Sequence, residues 1–122
     1  MKILVMDDEK GIREVMVEFL NHEGYEVVSV ENAQEGLKKL SDGFDLLITD
    51  NDITGLDSAG TKFVSKIRDM FPNVPIIMMS GRASVIEKPP AVDILIAKPF
   101  KFADVKAAID KAIKMHQSDV LQ

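Results

Sequence analysis

Residues 44–55 read Phe-Asp-Leu-Leu-Ile-Thr-Asp-Asn-Asp-Ile-Thr-Gly, an apolar run over 46–49 cut off at Asp50 by a loop of Asn, Asp, Thr and Gly. Near-continuous apolarity over so few residues marks a parallel strand covered on both faces. Comparable short runs occur at 3–6, 25–30, 75–79 and 93–97. Helical spacing lies between them. Ile12, Val15, Met16, Phe19 and Leu20 form one stripe, ended by Gly24. Asn32 stands as an N-cap with Glu35 three residues on, ahead of Leu37 and Leu40 as buried positions. Phe63, Val64 and Ile67 mark a third helix closed by Pro72. Phe102, Val105, Ala108, Ile109, Ala112 and Ile113 mark a long last one, with Lys111 and Lys114 near its expected negative end.

Strand and helix alternating in this way predict an α/β fold, a doubly wound parallel sheet of five strands with helices on both faces. Ligands of such sheets bind beyond the carboxyl ends of the strands, where the strand order reverses. The 122 residues suit one domain, 1–122, whose polar end at 116–122 is expected to fray. A net charge of -5 without any basic stretch argues against nucleic-acid or anionic-membrane binding. Without cysteine there is no disulfide, thiolate zinc site or cysteine nucleophile. No apolar stretch near Met1 has the length of a signal peptide or a membrane span, so a cytoplasmic protein is the expectation.

The first run ends in Asp7-Asp8-Glu9, the third in Asp50, the fourth in Ser80-Gly81 and the fifth in Lys98-Pro99-Phe100. Each has an ordinary explanation by itself: a helix cap for Asp7 or Asp8, a turn residue for Asp50 or Ser80, a lysine lifting its charge out of the core. The combination is different, because all of them fall on one edge of one sheet. Clustered carboxylates repel unless a cation sits among them, and hard oxygen donors suit Mg2+ better than Zn2+. A carboxylate is also a nucleophile for phosphoryl groups, and that reaction needs mainly positioning and charge stabilisation, which a hydroxyl and a lysine supply.

These segments resemble the receiver domain of two-component response regulators over essentially the whole chain. KILVMDDEK is similar to that family's first strand and acidic pair, FDLLITDNDITG to its third strand and phosphoacceptor loop, PIIMMSG to its fourth strand and ILIAKPF to its fifth. The resemblance implies the flavodoxin-like strand order 2-1-3-4-5. It makes Asp50 the phosphoacceptor, with Asp8 and Asp50 holding Mg2+ directly, Asp7 through water and the backbone carbonyl of Asp52 completing the set. Ser80 would hydrogen-bond a phosphoryl oxygen, Lys98 would pair with the same group, and the bond from Lys98 to Pro99 would be cis. Asp52 and Arg82 occupy positions where the family tunes the access of water to the acyl phosphate. The implied donor is a phosphohistidine of a sensor histidine kinase or a histidine phosphotransfer protein. The output is an unknown partner or domain, from a monomer or a phosphorylation-dependent dimer. Such receivers catalyse only their own phosphorylation and dephosphorylation, so the chain is not expected to be an enzyme.

Some positions depart from the family's pattern. Thr54 replaces a usual proline, and the segment 57–60 carries extra residues. Only 17 residues separate Ser80 from Lys98, and Pro89-Pro90 cannot lie inside a helix, so the fourth helix is expected to be a stub over 84–88 or missing. At the switch position three residues before Lys98, Leu95 replaces an aromatic, so the usual hydroxyl-aromatic coupling cannot operate and output is expected through the last helix and the loop after Ser80. Two other readings compete. A receiver-like binding module that has lost phosphorylation keeps the fold. A haloacid-dehalogenase-type phosphatase shares the DxDxT pattern of residues 50–54, but its motif belongs on an early strand with acidic ligands after the lysine.

Overall fold

The computed structural model describes residues 1–51, 59–81 and 88–121. Among them the order is β1 (Lys2–Met6), α1 (Lys10–His22), β2 (Glu26–Val30), α2 (Ala33–Leu40), β3 (Leu46–Asp50), α3 (Ala59–Met70), β4 (Ile76–Ser80), β5 (Ile94–Ala97) and α4 (Phe102–Leu121). The strands form one parallel sheet in the order β2-β1-β3-β4-β5, the doubly wound arrangement expected. The chain steps from β1 outward to β2, then back across β1 to β3, so the reversal lies between β1 and β3. Their carboxyl ends therefore flank the crevice where ligands of such sheets bind.

Side chains alternate strictly between two cores, as a period of two requires. Ile3 and Val5, Leu46 and Ile48, Ile77 and Met79 meet Met16 and Leu20 of α1 and Val105, Ala108, Ile109 and Ala112 of α4. Leu4 and Met6, Leu47, Ile76 and Met78 meet Ala33 and Leu40 of α2 and Phe63, Val64 and Ile67 of α3. Strands buried on both faces explain why the sequence runs are continuous rather than alternating. Met6, Met16, Met78 and Met79 are fully buried filler, as expected of methionine.

The signals at the helix ends operate as read. Gly24, at φ +94°, follows the C-cap of α1, a conformation that a side chain would strain. Asn32 Oδ1 accepts a hydrogen bond from the Glu35 amide at 2.9 Å and starts α2. Within α2, a Cβ added at Gly36 would collide with the Met6 side chain, so this glycine lets the helix lie close on β1.

Other expectations need correcting. Val15 and Phe102, placed by periodicity in apolar stripes, are 45% and 41% exposed. They lie beyond the strip that the sheet covers, and Phe102 stacks on Phe19 of α1 with ring centroids 4.3 Å apart. Residues 116–121, polar enough to predict fraying, continue α4 to Leu121, which leaves Lys111 and Lys114 inside the helix rather than in its last turn. The expected stub over 84–88 lies almost wholly outside the described residues. Lys88 and Pro89 are not helical, and Val92 N donates to Pro89 O in a turn.

At the sheet edge opposite the strand carboxyl ends, Asp93 ties three elements together. Its Oδ2 accepts from the Ile76 amide (2.8 Å), from Arg68 Nη2 of α3 (2.9 Å) and pairs with His116 Nε2 of α4 (2.9 Å). Arg68 also donates to the carbonyls of Pro72, Val74 and Ala91, gathering the turns that lead into β4 and β5. Removing the carboxylate leaves the half-buried Arg68 guanidinium without its counter-charge and the Ile76 N–H without its acceptor. Asp93→Ala is therefore expected to lower stability by about 3 kcal/mol, read as a lower urea midpoint. An unchanged midpoint would show that the network is not holding the helices.

Candidate functional site

Parallel pairing in register makes the strands end nearly level: Met6 lies opposite Thr49, Asp50 opposite Met79 and Ser80 opposite Ala97. The residues at and just past those ends therefore meet on one edge. Asp7 and Asp8 follow β1, Asp50 closes β3, Ser80 closes β4 and Lys98 follows β5. Asp7, Asp50 and Ser80 are buried, while Asp8 is exposed.

Oxygen atoms of Asp7, Asp8 and Asp50 all lie within 4.8 Å of one another. Lys98 Nζ stands 2.9 Å from Asp7 Oδ2 and 3.1 Å from Asp50 Oδ1. Burial is the largest influence on this lysine and lowers its pKa, but hydrogen bonds to Asp7 and Asp50, and then their charges, outweigh it and leave the pKa raised. The peptide bond from Lys98 to Pro99 is cis, as the sequence resemblance implies, and Lys98 N donates to Ser80 O at 2.9 Å.

Asp7 is held from several sides. Its amide donates to Val30 O at 3.2 Å, its Oδ1 accepts from Glu9 N at 2.9 Å, and its carbonyl accepts from Arg13 Nη1 at 2.7 Å. Asn51 N donates to Met79 O and Thr49 Oγ1 to Asp50 O, which anchors the start of the loop after β3. Three carboxylates around one ammonium leave the cluster negative. Its donors are hard oxygens, so it is suited to a small divalent cation rather than a soft one.

The structure thus brings together Asp7, Asp8, Asp50 and Lys98, with Ser80 on the same edge. Asp52 and Arg82 lie outside the described residues, as do Thr54 and the segment 84–87. Leu95 is half-buried and packs against the core under α2 and α3. Arg13, whose side chain is only 16% exposed, belongs to the site although no motif singles it out. The available signal is its place between Ile12 and Met16 on the inner side of α1, where an unneeded charge is disfavoured.

Residues 3–110 match the model of the response regulator receiver domain family. Sporulation initiation phosphotransferase F of Bacillus subtilis is 29% identical over 119 residues, spanning 93% of this chain and 94% of that protein. The uncharacterized transcriptional regulatory protein YkoG of the same organism is 29% identical over 93% of this chain, but the match takes up 51% of its own length. The chain therefore spans about half the length of such regulators. Among solved structures, the response regulator TrrA of Thermotoga maritima in complex with Mg2+-BeF superposes with a TM-score of 0.79 at 35% identity, over 91% of this chain and 97% of that one. TrrA has also been solved in complex with the histidine kinase ThkA, and there it superposes with a TM-score of 0.81.

Lys98 is the part-buried charge that balances Asp7 and Asp50. Because its pKa is raised, its contribution to stability is complete below the ordinary lysine value near 10.4 and disappears as the pH climbs through the raised value. Lys98→Met should lower the stability of the chelator-treated protein at neutral pH by about 3 kcal/mol, and its stability curve should lose that alkaline fall. Equal urea midpoints for the two proteins would show that solvent already screens the cluster.

Proposed function

Since the chain belongs to the response regulator receiver family, we propose that it accepts a phosphoryl group from a phosphohistidine onto Asp50 and uses the resulting acyl phosphate as a signal. The observation that carries this reading is the cluster of Asp7, Asp8 and Asp50, with Lys98 against Asp7 and Asp50, at the carboxyl edge of the sheet. In the transfer, a carboxylate oxygen of Asp50 forms the new bond to phosphorus as the bond to the donor imidazole nitrogen breaks, and the histidine leaves. The backbone at Asp50 is held by the sheet, since it closes β3 opposite Met79 of β4. Lys98 would turn from the carboxylates to the incoming phosphoryl oxygens, and the Ser80 hydroxyl would donate to another of them. Both act on charge that appears only as the group arrives, the kind of stabilisation phosphoryl transfer requires.

Asp7, Asp8 and Asp50 are the residues that would hold Mg2+, and the all-oxygen donor set fits that ion. Bound there, it supplies a grip on the phosphoryl oxygens and neutralises their charge. The backbone carbonyl of Asp52 is a further proposed donor. Asp52 and Arg82 are proposed to govern water's access to the acyl phosphate. The product is a modified aspartate on the chain itself, so the activity is a switch and not turnover of a separate substrate.

The donor is proposed to be a sensor histidine kinase or a histidine phosphotransfer protein. A groove of about 490 Å³ beside Lys98, lined by Ile12, Val15, Phe100 and Phe102, gives such a partner an apolar seat next to Asp50's edge. Output is proposed to leave through α4, because Leu95 cannot reproduce the family's aromatic switch and His116 ties that helix through Asp93 to α3. Amide shifts on phosphorylation should accordingly include α4 residues; changes confined to α1 and α2 would overturn that route.

Incubating the protein with a small acyl phosphate should add one phosphoryl group by intact mass, only with a divalent ion present and not in Asp50→Asn. Lack of an adduct, under conditions that modify another receiver, would favour a receiver-like module that binds without being phosphorylated.

A further inference from the structure

Arg13 places most of its side chain out of water and directs its charge at a backbone carbonyl. Nη1 donates to Asp7 O at 2.7 Å, while Nη2 comes only within 4.0 Å of Glu31 Oε2, a carboxylate that is 61% exposed. An exposed pair at that separation contributes little, so the carbonyl is the main partner. This carbonyl belongs to the peptide group whose other half is the Asp8 amide. Fixing its plane therefore fixes the direction in which the chain enters Asp8.

That constraint matters because β1 ends at Met6. Asp7 is still held by Val30 O through its amide and by Lys98 through its carboxylate. Asp8 lies past the sheet ladder and is exposed, yet its carboxylate joins those of Asp7 and Asp50. We propose that Arg13 is a positioning residue for the divalent ion: it holds the Asp7–Asp8 peptide so that the Asp8 carboxylate faces the cluster. This rests on the reading of Asp7, Asp8 and Asp50 as a Mg2+ site.

The sign of the effect separates this role from simple electrostatics. A guanidinium near a cation site repels the cation, so its charge alone would make removal tighten binding. A group that orients a ligand does the opposite, and its loss typically costs about 10- to 100-fold in metal affinity. Mg2+ titration calorimetry on the folded chain decides between them, with the Asp8 amide shift as a second readout. Arg13→Ala is expected to weaken Mg2+ about 10-fold and to displace the Asp8 amide, whereas Glu31→Gln should leave both close to the unaltered protein. Should the alanine variant not fold, Arg13→Met keeps the apolar stem and is read in its place.

Unchanged or tighter Mg2+ binding in the folded Arg13 variant overturns the proposal while leaving the metal site standing. No Mg2+ binding by the unaltered chain overturns the metal site and the proposal together. Weaker binding with the Asp8 amide displaced supports it.

Discussion

The ammonium of Lys98, between the carboxylates of Asp7 and Asp50, is the contact on which the functional edge depends. Parallel strands that end level bring buried acidic groups together, and those groups would repel if left unbalanced. A lysine at the end of the outermost strand reaches back across β4 and β3 and neutralises part of that charge. It offsets only part of that charge, because one ammonium faces Asp7 and Asp50 while Asp8 makes the group one of three carboxylates. The remaining negative charge is what makes the site receptive to a cation, and the same lysine is available to an arriving anion.

The rest of the fold serves to hold that edge still. Two cores of opposite parity clamp the sheet, with α1 and α4 on one face and α2 and α3 on the other. Gly36 lets α2 lie close on β1, whose end carries Asp7 and Asp8. At the far edge, Asp93 joins Arg68, His116 and the start of β4, so the strands are pinned where chemistry does not occur. A parallel sheet with both edges constrained transmits little motion by itself. Movement is then left to the helices that pack across the faces.

The substitution of Leu95 for an aromatic changes how such movement would be coupled. Leucine has neither a ring to swing nor a polar group to follow a hydroxyl, and it packs with the apolar residues under α2 and α3. On the other face, next to the site, the exposed Phe102 stacks on the partly buried Phe19. That apolar surface borders the edge that carries Lys98.

The sequence by itself determined the fold class, the approximate position of the five strands, the helix ends at Gly24 and Asn32, and which acidic, hydroxyl and lysine residues fall at the strands' carboxyl ends. These follow from local facts: runs that must be covered on both faces, caps that satisfy terminal amides, and acidic, hydroxyl and lysine residues immediately after strands. Only the tertiary structure decided which of those residues touch. That Lys98 meets both Asp7 and Asp50 depends on the register of three strand pairs, which no single segment encodes. Exposure of Val15 and Phe102 was illegible for a similar reason, since periodicity gives a helix its apolar side but not the width of sheet available to cover it. His116 read as the start of a polar tail, and no motif drew attention to Arg13. Each acquired its role from a partner distant in sequence or from a carbonyl that the chain's path brought within reach.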